Sequence, residues 1–186
     1  MTMKWKTKEV VVTAMIGAVI GILYTVMDYM YTPLVSLLGP IFMELTFGIY
    51  LLSAALPMYI MRKPGFAFFG ALVTAGVNLA LGSPYGIQLI LAGVLQAVGI
   101  EIGYAIGKYK GGFVSIAIGS VLGALCVLAR DYLVFGYSQY SGTVVFGMVC
   151  VRLLSAVIIG MLLTKGISAA LKKTGVIRSF RVSQAA

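Results

Sequence analysis

Eight polar or charged side chains stand inside stretches that are otherwise apolar: Glu44, Asn78, Gln88, Gln96, Glu101, Arg130, Asp131 and Arg152. Their chemistry is that of recognition rather than bond-breaking. Histidine is absent from the chain, which removes the commonest proton shuttle and metal ligand. There is no G-x-S-x-G nucleophile turn and no G-x-x-x-x-G-K-[ST] phosphate loop, so neither acyl transfer nor ATP hydrolysis has its usual machinery. Cys126 and Cys150 lack metal-like spacing and read as packing residues inside helices. Glu44, Asn78 and Gln96 combine a carboxylate with two amides, a set suited to the donors and acceptors of a planar heterocycle. Tyr85, Tyr132 and Tyr140 fall next to the polar set and could stack on such a ring; an interfacial aromatic belt is the alternative for them. Aromatic walls with a few placed polar groups are the usual make-up of a small-molecule site.

The elements that must carry these residues follow from composition. Of 186 residues, 61% are hydrophobic and 10% charged, where a soluble domain has about 25% charged residues. Residues 10–27, 64–100 and 111–129 are uncharged runs long enough to cross a bilayer, which takes about 20 residues. The run 64–100 is too long for one crossing, and "GSPYG" at 82–86 splits it with turn chemistry into a helical hairpin. The sequence thus predicts an all-α integral membrane protein, a single membrane domain over 1–186, with six helices at about 9–28, 41–61, 65–82, 86–108, 113–136 and 143–171. The connections are short except for residues 29–40, "YMYTPLVSLLGP", which read as an apolar loop with two prolines. The basic start resembles a signal peptide, but the apolar run after it is long and no A-x-A site follows, so it reads as a retained first helix.

If six helices alternate, Lys4, Lys6, Lys8, Arg62, Lys63, Lys108, Lys110, Lys165, Lys172, Lys173, Arg178 and Arg181 share one side. The positive-inside rule makes that side the cytoplasm, with both termini there. It also accounts for the net charge of +9 without a nucleic-acid partner. The remaining cations, Arg130 and Arg152, then lie within the bilayer. Arg130 falls about 7 residues, or roughly 10 Å, short of the outer end of its helix. Charges at such depth cost at least ~2.5 kcal/mol each and normally face the bundle interior with partners. Two pairings suggest themselves, Arg152 with Glu101 and Arg130 with Glu44, with Asp131 left facing a ligand or the segment 29–40. The embedded charges sum to −3 (Glu44, Glu101, Asp131) and +2 (Arg130, Arg152). Small residues form a second pattern: Ala14, Gly17, Ala18 and Gly21 share one face of the first helix, which allows close approach of another helix inside the bundle or from another subunit.

Taken together, these residues resemble the substrate-binding S component of an energy-coupling factor (ECF) vitamin transporter. The A-x-x-x-A motif of that family's first helix is matched by Ala14 and Ala18 in "AMIGA", and its long first extracellular loop by residues 29–40. The stretches "MIGAVIGILYTVMDYMYTPL" and "ARDY" look most like the YkoE type, linked to hydroxymethylpyrimidine and thiamin. The resemblance implies a non-enzymatic, multi-pass protein of the bacterial plasma membrane with no cofactor or metal. It would bind its vitamin in an outward-facing pocket and dock through Ala14 and Ala18 on a transmembrane coupling subunit driven by cytoplasmic ATPases. The implied substrate-binding set is Glu44, Asn78, Tyr85, Gln88, Gln96, Arg130, Asp131, Tyr132, Tyr140 and Arg152. One departure stands out: thiamin-binding members stack their ligand on tryptophan, whereas Trp5, the only tryptophan, is placed on the cytoplasmic side. Other readings are an S component for another vitamin such as riboflavin, a small standalone channel, or a membrane enzyme.

Overall fold

The structure is a computed structural model that describes residues 4–184. Its described residues form helices and turns without a strand: α1 (Thr7–Leu38), α2 (Pro40–Tyr50), α3 (Leu52–Met61), α4 (Phe66–Ala80), α5 (Gln88–Ile106), α6 (Phe113–Val134), α7 (Gly142–Lys173) and a short α8 (Arg181–Gln184). Among the described residues five segments are long and apolar enough to cross a membrane: Thr7–Tyr31, Ile41–Met61, Gln88–Ile106, Phe113–Val134 and Gly142–Lys173. Phe66–Ala80 is also apolar but shorter.

Two differences from the sequence reading have physical causes. Residues 29–38, expected as a loop, continue α1 as helix. Pro33 costs that helix one donor, and α1 ends only at Gly39, whose φ of 79° suits glycine. At 1.5 Å per residue α1 is about 48 Å long, well beyond a ~30 Å hydrocarbon core. The expected helix at 41–61 is instead broken at Leu51 into α2 and α3. The Tyr24 hydroxyl of α1 enters the hydrogen-bond ladder there. It donates to the Ile49 carbonyl at 2.8 Å and accepts the Ser53 N–H at 3.2 Å, occupying the place of the bond those two groups would make. Such insertion is a recognised cause of helix kinks.

Close helix approach rests on small residues, because without water there is little hydrophobic drive between helices and van der Waals contact must do the work. Gly99 and Gly103 of α5 lie against the backbone of Gly123 and Gly119 of α6. Gly48 of α2 lies against Ser155 of α7, where its N–H donates to Ser155 Oγ at 2.9 Å. Gly17 and Gly21 of α1 face Val73, Thr74 and Val77 of α4. The small-residue face of α1 is therefore divided. Its glycines are buried inside the bundle, Ala14 and Ala18 are half-buried, and Met15, Val19 and Ile22 beside them are exposed.

Both ends of the described chain meet at one end of the bundle. Trp5 donates to the Pro64 carbonyl at 3.0 Å, Lys63 pairs with Glu9 at 2.6 Å, and Arg181 donates to the Arg62 carbonyl at 2.9 Å. Glu101 belongs to this end as well. Its carboxylate accepts the Gly65 and Ala67 N–H groups at 2.7 and 3.3 Å, capping α4, and the Tyr109 hydroxyl at 3.1 Å. The expected pairing of Glu101 with Arg152 does not occur. Burial, and then Glu101, push Tyr109 up to about 12.

The glycine contacts give opposite expectations for one substitution at two sites. Gly99→Ala should force α5 from α6 and lower stability by about 1–3 kcal/mol. Gly76→Ala, where nothing lies within 4 Å, should be neutral or stabilising by up to about 1 kcal/mol. Melting curves of the two purified variants beside the parent read the difference.

Candidate functional site

At the opposite end, α1, α2, α5, α6, α7 and the turns 82–87 and 135–141 enclose a cavity of about 230 Å³. Its position follows from the close contacts just described. Gly48 and Ser155 hold α2 against α7, which brings Glu44 and Arg152, one turn away on each helix, into contact. Gly21 holds α1 against α4 and places Asp28 within reach of Asn78.

The charged groups form a continuous chain. Arg152 donates through Nε to Glu44 Oε2 and through Nη2 to Glu44 Oε1 at 3.0 Å and Asp131 Oδ2 at 2.7 Å. Asp131 also accepts from Arg130 Nε at 2.9 Å, and Arg130 Nη1 reaches the Gln88 carbonyl at 3.1 Å. The Tyr137 hydroxyl closes the far side by donating to Glu44 Oε1 at 2.6 Å. The expected Arg130–Glu44 pair is thus replaced: Arg152 takes Glu44, and Arg130 turns back onto its own neighbour. The ~100° between adjacent residues separates their Cβ directions, but the long arginine side chain spans the gap. Both guanidiniums also lie over rings, Arg152 at 4.7 Å from Phe47 and Arg130 at 4.8 Å from Phe135.

Asp28 is a cavity residue that sequence reasoning missed. It is fully buried and accepts hydrogen bonds from Tyr50 at 2.7 Å, Asn78 at 2.9 Å and Ser83 at 2.6 Å. Thr25 fixes the Asn78 amide by donating to its oxygen at 2.8 Å. Among the described residues Asp28 has no cationic partner. As carboxylates, Asp28, Glu44 and Asp131 bring three negative charges to the cavity and its wall. Arg130 and Arg152 bring two positive ones, so the formal sum is −1. A usable signal was the acid in "YTVMDYMYTPL", an isolated carboxylate among apolar residues. Assigning 29–40 to a loop moved it to the helix end and hid it.

Of the ten expected site residues, Tyr85, Gln88, Gln96, Arg130, Asp131, Tyr140 and Arg152 line the cavity. Glu44 stands behind Arg152, fully buried. Asn78 holds Asp28 and lines a smaller adjoining cavity of about 40 Å³. Tyr132 is exposed on the outer face of α6 and takes no part; one step past Asp131 turns it away from the bundle interior. The walls are Tyr31, Phe47, Tyr50, Phe135 and Tyr137, together with Tyr85 and Tyr140. Trp5 is at the other end, packed on Phe66 at 4.4 Å, so the aromatic walls of the cavity are tyrosine and phenylalanine. Burial raises Tyr85 and Tyr137 above the usual phenol range, helped by Asp28 and Glu44 respectively, and both remain hydrogen-bond donors.

Three buried polar atoms on cavity residues have no hydrogen-bond partner among the described residues: Arg152 Nη1, Tyr31 Oη and Gln88 Oε1. Leaving such a group unsatisfied costs about 1–3 kcal/mol, more when it is charged. Aromatic walls with a few such polar groups are the usual make-up of a small-molecule site.

The buried pair gives a direct stability test. Removing Arg152 leaves Glu44 without its cation in an apolar interior, so Arg152→Ala should cost about 3–5 kcal/mol. Arg152→Ala combined with Glu44→Gln should recover part of that loss in thermal unfolding. An Arg152→Ala protein that melts like the parent contradicts the pairing.

Comparison with known proteins follows the same line. Residues 8–129 match the family described as ABC-type cobalt transport system, permease component. The putative HMP/thiamine permease protein YkoE of Bacillus subtilis (strain 168) is 29% identical over 181 residues, covering 97% of this chain and 91% of that protein. A crystal structure of an S-component of an ECF transporter superposes with a TM-score of 0.92 at 28% identity, over 97% of this chain and 92% of that one. The relatives are transport components, not enzymes. The chain belongs to the family of ABC-type cobalt transport permease components and is an S component of an ECF transporter, a multi-pass protein of the bacterial plasma membrane.

Proposed function

We propose that this S component captures thiamin, or its hydroxymethylpyrimidine precursor, in the cavity between Asp28 and Arg152. The observation that carries the reading is the cavity itself: aromatic walls, three polar atoms awaiting partners, and a formal charge of −1. The aminopyrimidine of thiamin offers adjacent donors and acceptors for Arg152, Gln88, Gln96 and Tyr31. Its cationic thiazolium complements Asp28, whose partners are all neutral, and the π-faces of the surrounding tyrosines. The similarity to the putative HMP/thiamine permease supports the same ligand class. Cobalt, which the family description mentions, suits these residues poorly. The chain has no histidine, and the cavity carboxylates are already engaged by arginines, tyrosines, Asn78 and Ser83.

In the membrane, α1, the α2–α3 pair and α4 to α7 make six crossings, with both termini in the cytoplasm and the cavity open to the outside. The basic residues around 62–63, 108–110 and 172–181 support that orientation. Import then depends on a transmembrane coupling subunit and cytoplasmic ATPases, docked through the outer face of α1 at Ala14 and Ala18.

Two experiments test this reading. Thiamin at 100 times its Kd should stabilise the purified protein by ~2.7 kcal/mol, with hydroxymethylpyrimidine less effective and riboflavin without effect. Stabilisation by riboflavin alone would point to a different vitamin. Ala14→Leu or Ala18→Leu should abolish cellular uptake while the purified variants bind ligand as the parent does. Loss of binding with retained assembly would make that face internal packing.

A further inference from the structure

Two arginines in one small cavity ordinarily suggest a clamp for phosphate or carboxylate, because guanidinium forks bind such anions in a bidentate manner. Here the forks are already occupied. Arg152 gives Nε and Nη2 to Glu44 and Asp131, and Arg130 gives Nε and Nη2 to Asp131 and Nη1 to the Gln88 carbonyl. Among the described residues the one buried guanidinium nitrogen without a hydrogen-bond partner is Arg152 Nη1, a single donor that suits a neutral acceptor. Asp28 adds a third carboxylate that has no cationic partner among the described residues. A phosphate monoester brings about −1.5 to −2 charges at neutral pH into a space that is already formally −1. Its oxygens would find one free guanidinium donor and, on the wall of the same cavity, the buried carboxylate of Asp28.

We infer that Glu44 and Asp131 serve as a charge filter: they neutralise the paired arginines so that the pocket takes the dephosphorylated form of its ligand and rejects phosphate esters and other anions. This rests on the cavity being the ligand site proposed above. It follows that any phosphorylated vitamin outside the cell must lose its phosphate by hydrolysis before this protein can capture it.

The test compares thiamin with thiamin monophosphate by titration calorimetry on the purified protein, in the parent, Asp131→Asn and Glu44→Gln. In the parent the monophosphate should bind at least about tenfold more weakly than thiamin, a factor equivalent to 1.4 kcal/mol. Asp131→Asn keeps the shape and removes one negative charge, so affinity for the monophosphate itself should rise about tenfold; Glu44→Gln should act in the same direction. Equal affinity of the parent for the two compounds overturns the filter without any variant being needed. A folded variant whose monophosphate affinity stays at the parent's level overturns it too, because size rather than charge would then exclude the ester. A folded parent that binds neither compound overturns both the filter and the function it rests on.

Discussion

The interaction on which the rest of this structure depends is the buried contact of Arg152 with Glu44 and Asp131. It joins α7 to α2 and α6 at the cavity end of the bundle. An isolated charge at this depth would be expelled or neutralised. The set persists because each charge is met: Glu44 by Arg152 and Tyr137, Asp131 by two guanidiniums, Arg130 by a carboxylate and a carbonyl. Such geometry tolerates little slack. The helices must approach closely and repeatably, and the glycine contacts at Gly48, Gly99, Gly103 and Gly21 supply that approach. Small residues and embedded charges are therefore two halves of one design, the first fixing distances that the second requires.

The two ends of the bundle use carboxylates differently. At the end where the chain termini meet, Glu9 and Glu101 are structural. One pairs with Lys63, and the other caps α4 and holds Tyr109. At the cavity end, the carboxylates leave a charge imbalance and three polar atoms unmatched. A protein interior with every group satisfied has nothing left to offer a ligand. Buried atoms without a partner among the described residues also occur elsewhere, at Thr13, Thr74, Tyr104, Ser120 and Ser168, but the three at Tyr31, Gln88 and Arg152 share one aromatic-walled space, the usual make-up of a small-molecule site.

Much of this was legible in the sequence because membrane solvation restricts the options. Uncharged runs of bilayer length gave the helices, polar residues embedded in the helices gave five of the cavity-lining side chains, and tyrosines near them, Tyr85 and Tyr140, gave two more. What stayed hidden depended on which helices touch. Glu44 and Arg152 lie 108 residues apart, and no periodicity shows that α2 packs on α7. Arg130 beside Asp131 suggested two outward partners, yet the flexible arginine folds back on its neighbour. The prolines at 33 and 40 argued for a loop. Helix persists through Pro33, since proline removes one donor and need not end an otherwise supported helix. That single misreading concealed Asp28. Tyr132 failed for the opposite reason: adjacency in sequence to a cavity residue says little when each helical step turns 100°.

The central claim is that the unmatched groups of the cavity are completed by a ligand. The most direct measurement is a structure of the purified protein crystallised with thiamin. The expected result is the vitamin enclosed among Tyr31, Gln88 and Arg152, with Arg152 Nη1 bonded to it and the thiazolium on the Asp28 side. Thiamin bound elsewhere, or an occupied cavity in which Arg152 Nη1 still lacks an acceptor, would contradict that claim.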